Sequence, residues 1–252
     1  MSMEPLKLQE DSIVEALFEL RMRGPGPVAD VLPGMMFSAL RELFPNRSQL
    51  PAAELPRVLR VQDPNLLYQP IVRLEGDRKA LLIGERVFSL AILRPYVGWD
   101  KFRGLIVQVL EELRKTELID SIERFSIKYV NLIERRSDSE DLSSIAMRMD
   151  LGGLPLRKTG FQLRAEVSSP SHESHVSVVE IRPETTIQMT DPEGTVNLSG
   201  VLVTVDSIHG GPITDAWAGV LENLDALHAE EKRVFFSIVS DEAIAEMKPV
   251  WQ

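Results

Sequence analysis

The chain has 252 residues, 44% of them hydrophobic and 26% charged, a balance that excludes bulk disorder and leaves room for a sizeable core. Its 38 acidic against 28 basic residues give a net charge of −10, which disfavours a generic phosphate-backbone binder, since that class needs a basic surface. It has no cysteine, which excludes disulfides, thiolate catalysis and cysteine-ligated metal sites.

Met1 to Ile13 shows no basic stretch followed by an apolar one, so no signal peptide is expected. No apolar run approaches the length of about 18 residues that a membrane helix needs. The expectation is a bacterial-style cytoplasmic protein with no membrane contact.

From Ser12 to Met22 the pattern has period two. Val14, Ala16, Phe18, Leu20 and Met22 share one face; Glu15, Glu19 and Arg21 share the other, with Leu17 the exception. This predicts a strand with one solvated face. Gly24 to Pro27 ends it. Asp30 to Phe44 reads as a helix, with Leu32, Met36, Ala39 or Leu40, and Leu43 at helical spacing. Residues 46–55 read as a loop. A hairpin series follows: Arg57 to Val61, Leu66 to Leu74 with Pro70 marking an edge or a bulge, Ala80 to Ile83, and Val87 to Ile92. Trp99 to Thr116 is a long amphipathic helix with Phe102, Leu105, Ile106, Val109, Leu110 and Leu113 on its stripe.

The second half opens on Ile122 to Glu134, rich in β-branched and aromatic residues and read as a long strand. The polar stretch 135–141 reads as a loop. Strands are expected at Ile145 to Met149, Gly160 to Ser168, Val176 to Arg182 with an extension toward Met189, and Val196 to Ile208. The longest helix begins at about Ile213 and buries Trp217, Val220, Leu221, Leu224, Leu227, Val234, Phe235 and Ile238. Ser240 is placed to cap a last short helix that Pro249 ends.

The two halves share an order. The expected fold is α+β, with curved antiparallel sheets on long packing helices. It is read as a tandem pseudo-repeat of a strand–helix–four strands–helix, helix-grip-like unit. The units are 1–119 and 120–252, the second having lost most of its first helix. One larger α+β domain is the alternative.

Residues able to carry chemistry are few. His172, Glu173 and His175 lie in a polar loop entering a strand and offer three ligands to a metal, against the plainer reading of a solvated loop. His209 reads as part of a tight turn into a helix. His228 is expected to pack at the edge of its stripe and hydrogen-bond a neighbour. The pairs Glu111-Glu112, Glu140-Asp141 and Glu230-Glu231 read as solvated faces. Arg21, Arg23, Arg135 and Arg136 end two strands that the repeat makes equivalent, forming a basic spot for an anionic ligand or simply solubilising charge. No nucleophile elbow, P-loop or dinucleotide fingerprint occurs, and no cofactor is expected.

Several stretches carry a resemblance: Glu15 to Arg21, Tyr96-x-x-Trp99-x-x-Phe102, Phe125 to Asn131, Leu224-x-x-Leu227-His228, and Phe235 to Ile238. Together they resemble a sporadically distributed prokaryotic protein family of about this length with no established function. The resemblance brings no catalytic residues. The patchy distribution implies mobile genes or defence neighbourhoods.

Three functions follow in order. The first is a non-enzymatic interaction module that binds another protein and self-associates, as in a homodimer. The second is a small-molecule binding protein whose cavity between sheet and helix is lined by Phe125, Ile127, Tyr129 and Trp217. The third is a metal-dependent hydrolase using His172, Glu173 and His175. Nucleic-acid binding comes last, because the charge opposes it.

Overall fold

The computed structural model describes residues 4–134, 142–147, 152, 161–191, 194–210, 213 and 216–251. Among these, in chain order, lie β1 (Lys7–Leu8), β2 (Ile13–Arg23), α1 (Val28–Ala39), β3 (Asn46–Gln49), a 3-10 turn (Pro51–Glu54), α2 (Arg57–Gln62), β4 (Pro70–Gly76), β5 (Lys79–Gly84), β6 (Val87–Leu93) and α3 (Trp99–Lys115). Then come β7 (Ser121–Glu134), β8 (Leu163–Ser168), β9 (His175–Asp191), β10 (Gly194–Gly210), α4 (Ala216–Ile238), α5 (Asp241–Glu246) and β11 (Pro249–Val250). The fold is α+β on antiparallel strands. Nine strands are hydrogen-bonded in the order β3-β4-β5-β6-β2-β7-β10-β9-β8, and β1 pairs with β11 separately. No described helix is long and apolar enough to cross a membrane.

By packing, the chain divides into two compact units, with the divisions falling inside β2, β7, β10 and α4. The first unit comprises Glu15–Lys128 with Ile208–Leu227; the second comprises Met1–Val14, Tyr129–Ser207 and His228–Gln252.

In the first unit, the period-two pattern of β2 does what its chemistry demands. Its even residues are buried and its odd residues from Ile13 to Arg21 are half-exposed, with Arg23 exposed at its end. The registers carry both faces across the sheet. Phe18 opposes Leu90 and Leu20 opposes Phe88, Leu90 opposes Leu81, and Leu81 opposes Leu74. All six are at most 1% exposed. Phe102, Ile106, Val109, Leu110 and Leu113 of α3 are also buried.

In the second unit, a core cluster joins Ile133, Val179, Ile181, Val201, Val203 and Val205 from the strands to Val234, Phe235 and Val239. Ile145, Ala243, Ile244 and Met247 complete it. Gly200 marks a close backbone approach: a Cβ there would sit 2.1 Å from the carbonyl oxygen of Ile133. Ser240 caps α5, accepting a hydrogen bond from the Ala243 amide at 3.2 Å.

Several local readings are corrected. Residues 57–62 form a helix, not a strand, because Pro56 precedes a run with no cross-strand partner. The stretch 46–55 is not all loop: Asn46–Gln49 pairs with β4 as an edge strand and Pro51–Glu54 is a 3-10 turn. The first helix starts at Val28 and stops at Ala39, five residues short of Phe44. Strand β4 begins only at Pro70, and the register shifts between Pro70 and Val72, so this proline does mark a bulge. Pro249 starts β11 rather than simply ending a helix. Ile145 makes an isolated bridge to Val239. Residues 148–150 and the 135–141 loop lie outside the described residues.

Candidate functional site

The most unusual stretch is α2 with its approach. Leu55, Val58, Leu59 and Val61 are 38%, 61%, 52% and 37% exposed, whereas Arg60 is 7% exposed. Arg60 is the only buried residue of this helix. The ordinary distribution of aliphatics and cations is inverted here. Arg60 sits beside the buried carboxylate of Glu85. Arg57 Nε donates to Glu85 Oε1 at 2.8 Å, and Arg60 Nη2 lies 3.9 Å from the same oxygen. The Nε and Nη1 groups of Arg60 are buried without a hydrogen-bond partner. Nearby in sequence, β3 is exposed along its whole length and ends the strand order, so among the described residues one side of its backbone has no strand neighbour.

The second feature is the face of the first unit's sheet opposite its core. Glu15, Leu17, Glu19 and Arg21 of β2 oppose Leu93, Ala91, Ser89 and Val87. Ala91 and Ser89 oppose Ala80 and Leu82. Leu82 and Ala80 oppose Arg73 and Glu75. Arg124 of β7 joins this face through its ion pair with Glu19 at 3.1 Å, and alternation adds Ser126 and Lys128. Long charged side chains thus surround small ones. Ala80, Ser89, Ala91 and Ser126 are at most 3% exposed. Burial pushes the Glu15 carboxyl above its ordinary range, and the positive charges of Lys128 and Arg73 partly oppose that rise.

Arg21 is on this face but is not free. It pairs with Glu19 at 3.0 Å and lies over the Tyr68 ring at 4.0 Å. Tyr68 Oη donates to Glu123 Oε2 at 2.9 Å, and Arg23 pairs with the other oxygen of that carboxylate, with Arg86 at 3.7 Å. Burial alone would raise the Glu123 carboxyl, but the hydrogen bonds from Arg23 and Tyr68 outweigh it and hold Glu123 below its usual range. Arg135 lies outside the described residues.

Of the four residues expected to line a cavity, Phe125 and Ile127 belong to the first unit and are fully buried. Phe125 stacks on His209 at 4.9 Å and approaches Phe18 at 6.5 Å. Trp217 of the same unit is half-buried. Tyr129 belongs to the second unit, 2% exposed, and its hydroxyl lies 3.4 Å from His228 Nδ1. His228 thus has the hydrogen-bonded neighbour that its edge position implies.

The second unit carries a polar layer. Ser12 Oγ donates to Asn131 Oδ1 at 3.0 Å, and the Ser177 and Ser207 hydroxyls meet at 2.7 Å. His175 is 1% exposed, and its ring lies 4.6 Å from that of His172. Among the described residues no group of three or more His, Asp or Glu is assembled to hold a metal ion.

The pair Glu230-Glu231 is a correction: both are 5% exposed rather than solvated. Arg233 donates twice to Glu230, at 2.6 and 3.1 Å, which with Ser169 and His175 holds its carboxyl below the usual range. Burial drives the Glu231 carboxyl well above that range, and Lys232 only weakly opposes it. Spacing offered the signal, since Glu231 lies four residues after Leu227 and four before Phe235, on the buried stripe.

The chain matches no protein-family model and no curated protein.

Proposed function

We propose that the protein is a non-enzymatic interaction module that contacts a protein partner through the α2 segment and the adjoining edge strand β3. The observation that carries this reading is the inverted exposure of residues 55–61. Four exposed aliphatics within seven residues are what a partner buries, and single scattered ones are not. The open edge of β3 adds main-chain donors and acceptors for a strand from the partner. A second copy of the chain fits this surface as one such partner. The tandem pseudo-repeat belongs to the same proposal: β2 neighbours β6, the last strand before α3, and β7 neighbours β10, the last strand before α4. The resemblance to a sporadically distributed prokaryotic family is consistent with a partner encoded nearby. We place the module in the cytoplasm.

The test is quantitative affinity capture from the host with the wild-type chain and with Val58→Glu/Leu59→Glu, alongside sedimentation of each alone. One protein enriched about tenfold by wild type and lost with the variant, or a wild-type dimer that the variant dissociates, is the expected result. A wild-type monomer with the same captured set as the variant overturns the reading.

A further inference from the structure

We propose that the arginine cluster at the Arg23 end of β2 binds a small phosphate monoester in its dianionic form, held by the guanidiniums of Arg21, Arg23, Arg86 and Arg124. This site goes beyond the α2 reading and does not depend on it.

One unbroken series of side-chain contacts runs through the cluster. Arg124 Nη2 donates to Glu19 Oε1 at 3.1 Å, and Arg21 Nε donates to the same oxygen at 3.0 Å. The Arg21 guanidinium lies over the Tyr68 ring at 4.0 Å. Tyr68 Oη donates to Glu123 Oε2 at 2.9 Å. Arg23 Nε donates to Glu123 Oε1, and Arg86 Nη1 lies 3.7 Å from that oxygen. The network therefore holds four guanidiniums and two carboxylates, an excess of two positive charges on a chain whose net charge is −10. The imbalance continues at Glu85, next in the chain to Arg86, where Arg57 at 2.8 Å and Arg60 at 3.9 Å share one carboxylate. Charges more than about 8 Å away are largely screened at physiological ionic strength, so an approaching anion meets this local excess rather than the acidic balance of the whole chain.

The carboxylates leave most of the donors unused. A guanidinium carries five N–H groups. Among the described residues, Arg21, Arg23 and Arg124 each spend one nitrogen on a carboxylate, and Arg86 stands beyond hydrogen-bond distance of its own. The side chains of Arg21, Arg23, Arg86 and Arg124 are 28%, 59%, 34% and 26% exposed, so the cluster is open to a ligand from solvent. Every cation in the network is an arginine, whose planar fork matches phosphate oxygens in a way that a lysine ammonium does not. A phosphate monoester carries about −1.5 to −2 charge at neutral pH and three strong acceptor oxygens, which matches the excess of two. A diester or a carboxylate, with one charge, leaves half of that excess unmatched. Glu19, Glu123 and the Tyr68 ring hold Arg21, Arg23 and Arg124 before any ligand arrives, so less side-chain freedom is lost on binding.

The experiment is calorimetry of the full chain near neutral pH with methyl phosphate, and with dimethyl phosphate and acetate as single-charge probes. Methyl phosphate is expected to bind about tenfold more tightly than either single-charge probe. Arg23→Gln removes the most exposed of the four guanidiniums and should weaken methyl phosphate about tenfold, with the circular dichroism spectrum unchanged. Arg23→Lys restores the charge without the fork and should recover part of that loss. Arg164→Gln makes the same change of charge in the second unit and should bind as wild type does. Four results each overturn the proposal. Methyl phosphate gives no binding heat at about 10 mM. Dimethyl phosphate binds as tightly, which would point to a nucleic-acid backbone instead. Arg21→Gln and Arg23→Gln both bind as wild type does. Arg164→Gln loses as much affinity as Arg23→Gln.

Discussion

Arg60 shows how a single side chain can work against the fold that holds it. A buried guanidinium with unmade hydrogen bonds loses hydration that nothing replaces, at about 1–3 kcal/mol for each orphaned donor. Its nearest carboxylate, Glu85, is already bonded to Arg57 at 2.8 Å and lies 3.9 Å from Arg60. Arg60→Met keeps the stem and removes the charge. It should therefore raise the urea midpoint, by about 1 kcal/mol of stability or more. Glu85→Ala should act oppositely, because it leaves Arg60 with no counter-charge in a buried site, and a loss of about 3 kcal/mol is expected. The two variants share one assay. A stabilised Glu85→Ala or a destabilised Arg60→Met would show that Arg60 is held by something stronger than its long contact. A buried arginine in an exposed-looking helix is not legible in the sequence, because Val58, Leu59 and Val61 dominate the local pattern and their exposure is decided by tertiary packing.

The elements themselves divide by how much of their stability is local. Strand β2 was readable because its alternation runs over eleven residues with one face committed to the core. Helix α3 was readable for the same reason, with five buried positions at helical spacing. Helix α2 was not: six residues give fewer than two turns, and its β-branched content argues for a strand. The edge strand β3, Asn-Arg-Ser-Gln, has no apolar residue and becomes a strand only because β4 is there to pair with it. Of the site, the solvated face of β2 was legible, whereas Arg73 and Lys128 joining it needed the register of several strands. Two substitutions test the element boundaries. Ser240→Ala removes the hydrogen bond to the Ala243 amide and should cost about 1 kcal/mol by thermal or chemical melting. Gly200→Ala places a methyl 2.1 Å from the Ile133 carbonyl oxygen, which a backbone atom cannot accommodate without moving. Its cost should be several times that of the cap, and its loss should appear as faster amide exchange along β7 and β10. Equal costs for the two would refute the close approach.

At the scale of the whole molecule, four carboxyls set opposing slopes in stability against pH. Glu123 and Glu230 are held below the ordinary range by their arginine partners, so the folded chain binds fewer protons there than the unfolded one. Their contribution is present above about pH 4.3, the free glutamate value, and is lost as pH falls through their folded values. Glu15 and Glu231 are raised, by burial first. Folding holds their protons more tightly, so their contribution is present below about pH 4.3 and is lost as pH rises through their folded values. The two sets together place the stability maximum on the acid side of neutrality. The melting temperature should be higher at pH 5.5 than at pH 8.0, and Glu231→Gln should flatten that difference by supplying a neutral group of the same shape. Any other group that changes charge across that interval does so in both proteins. The difference between wild type and Glu231→Gln therefore isolates the glutamate. An unchanged slope in the variant would mean that Glu231 keeps its charge in the folded state, and that its burial is compensated by a group that stays charged with it.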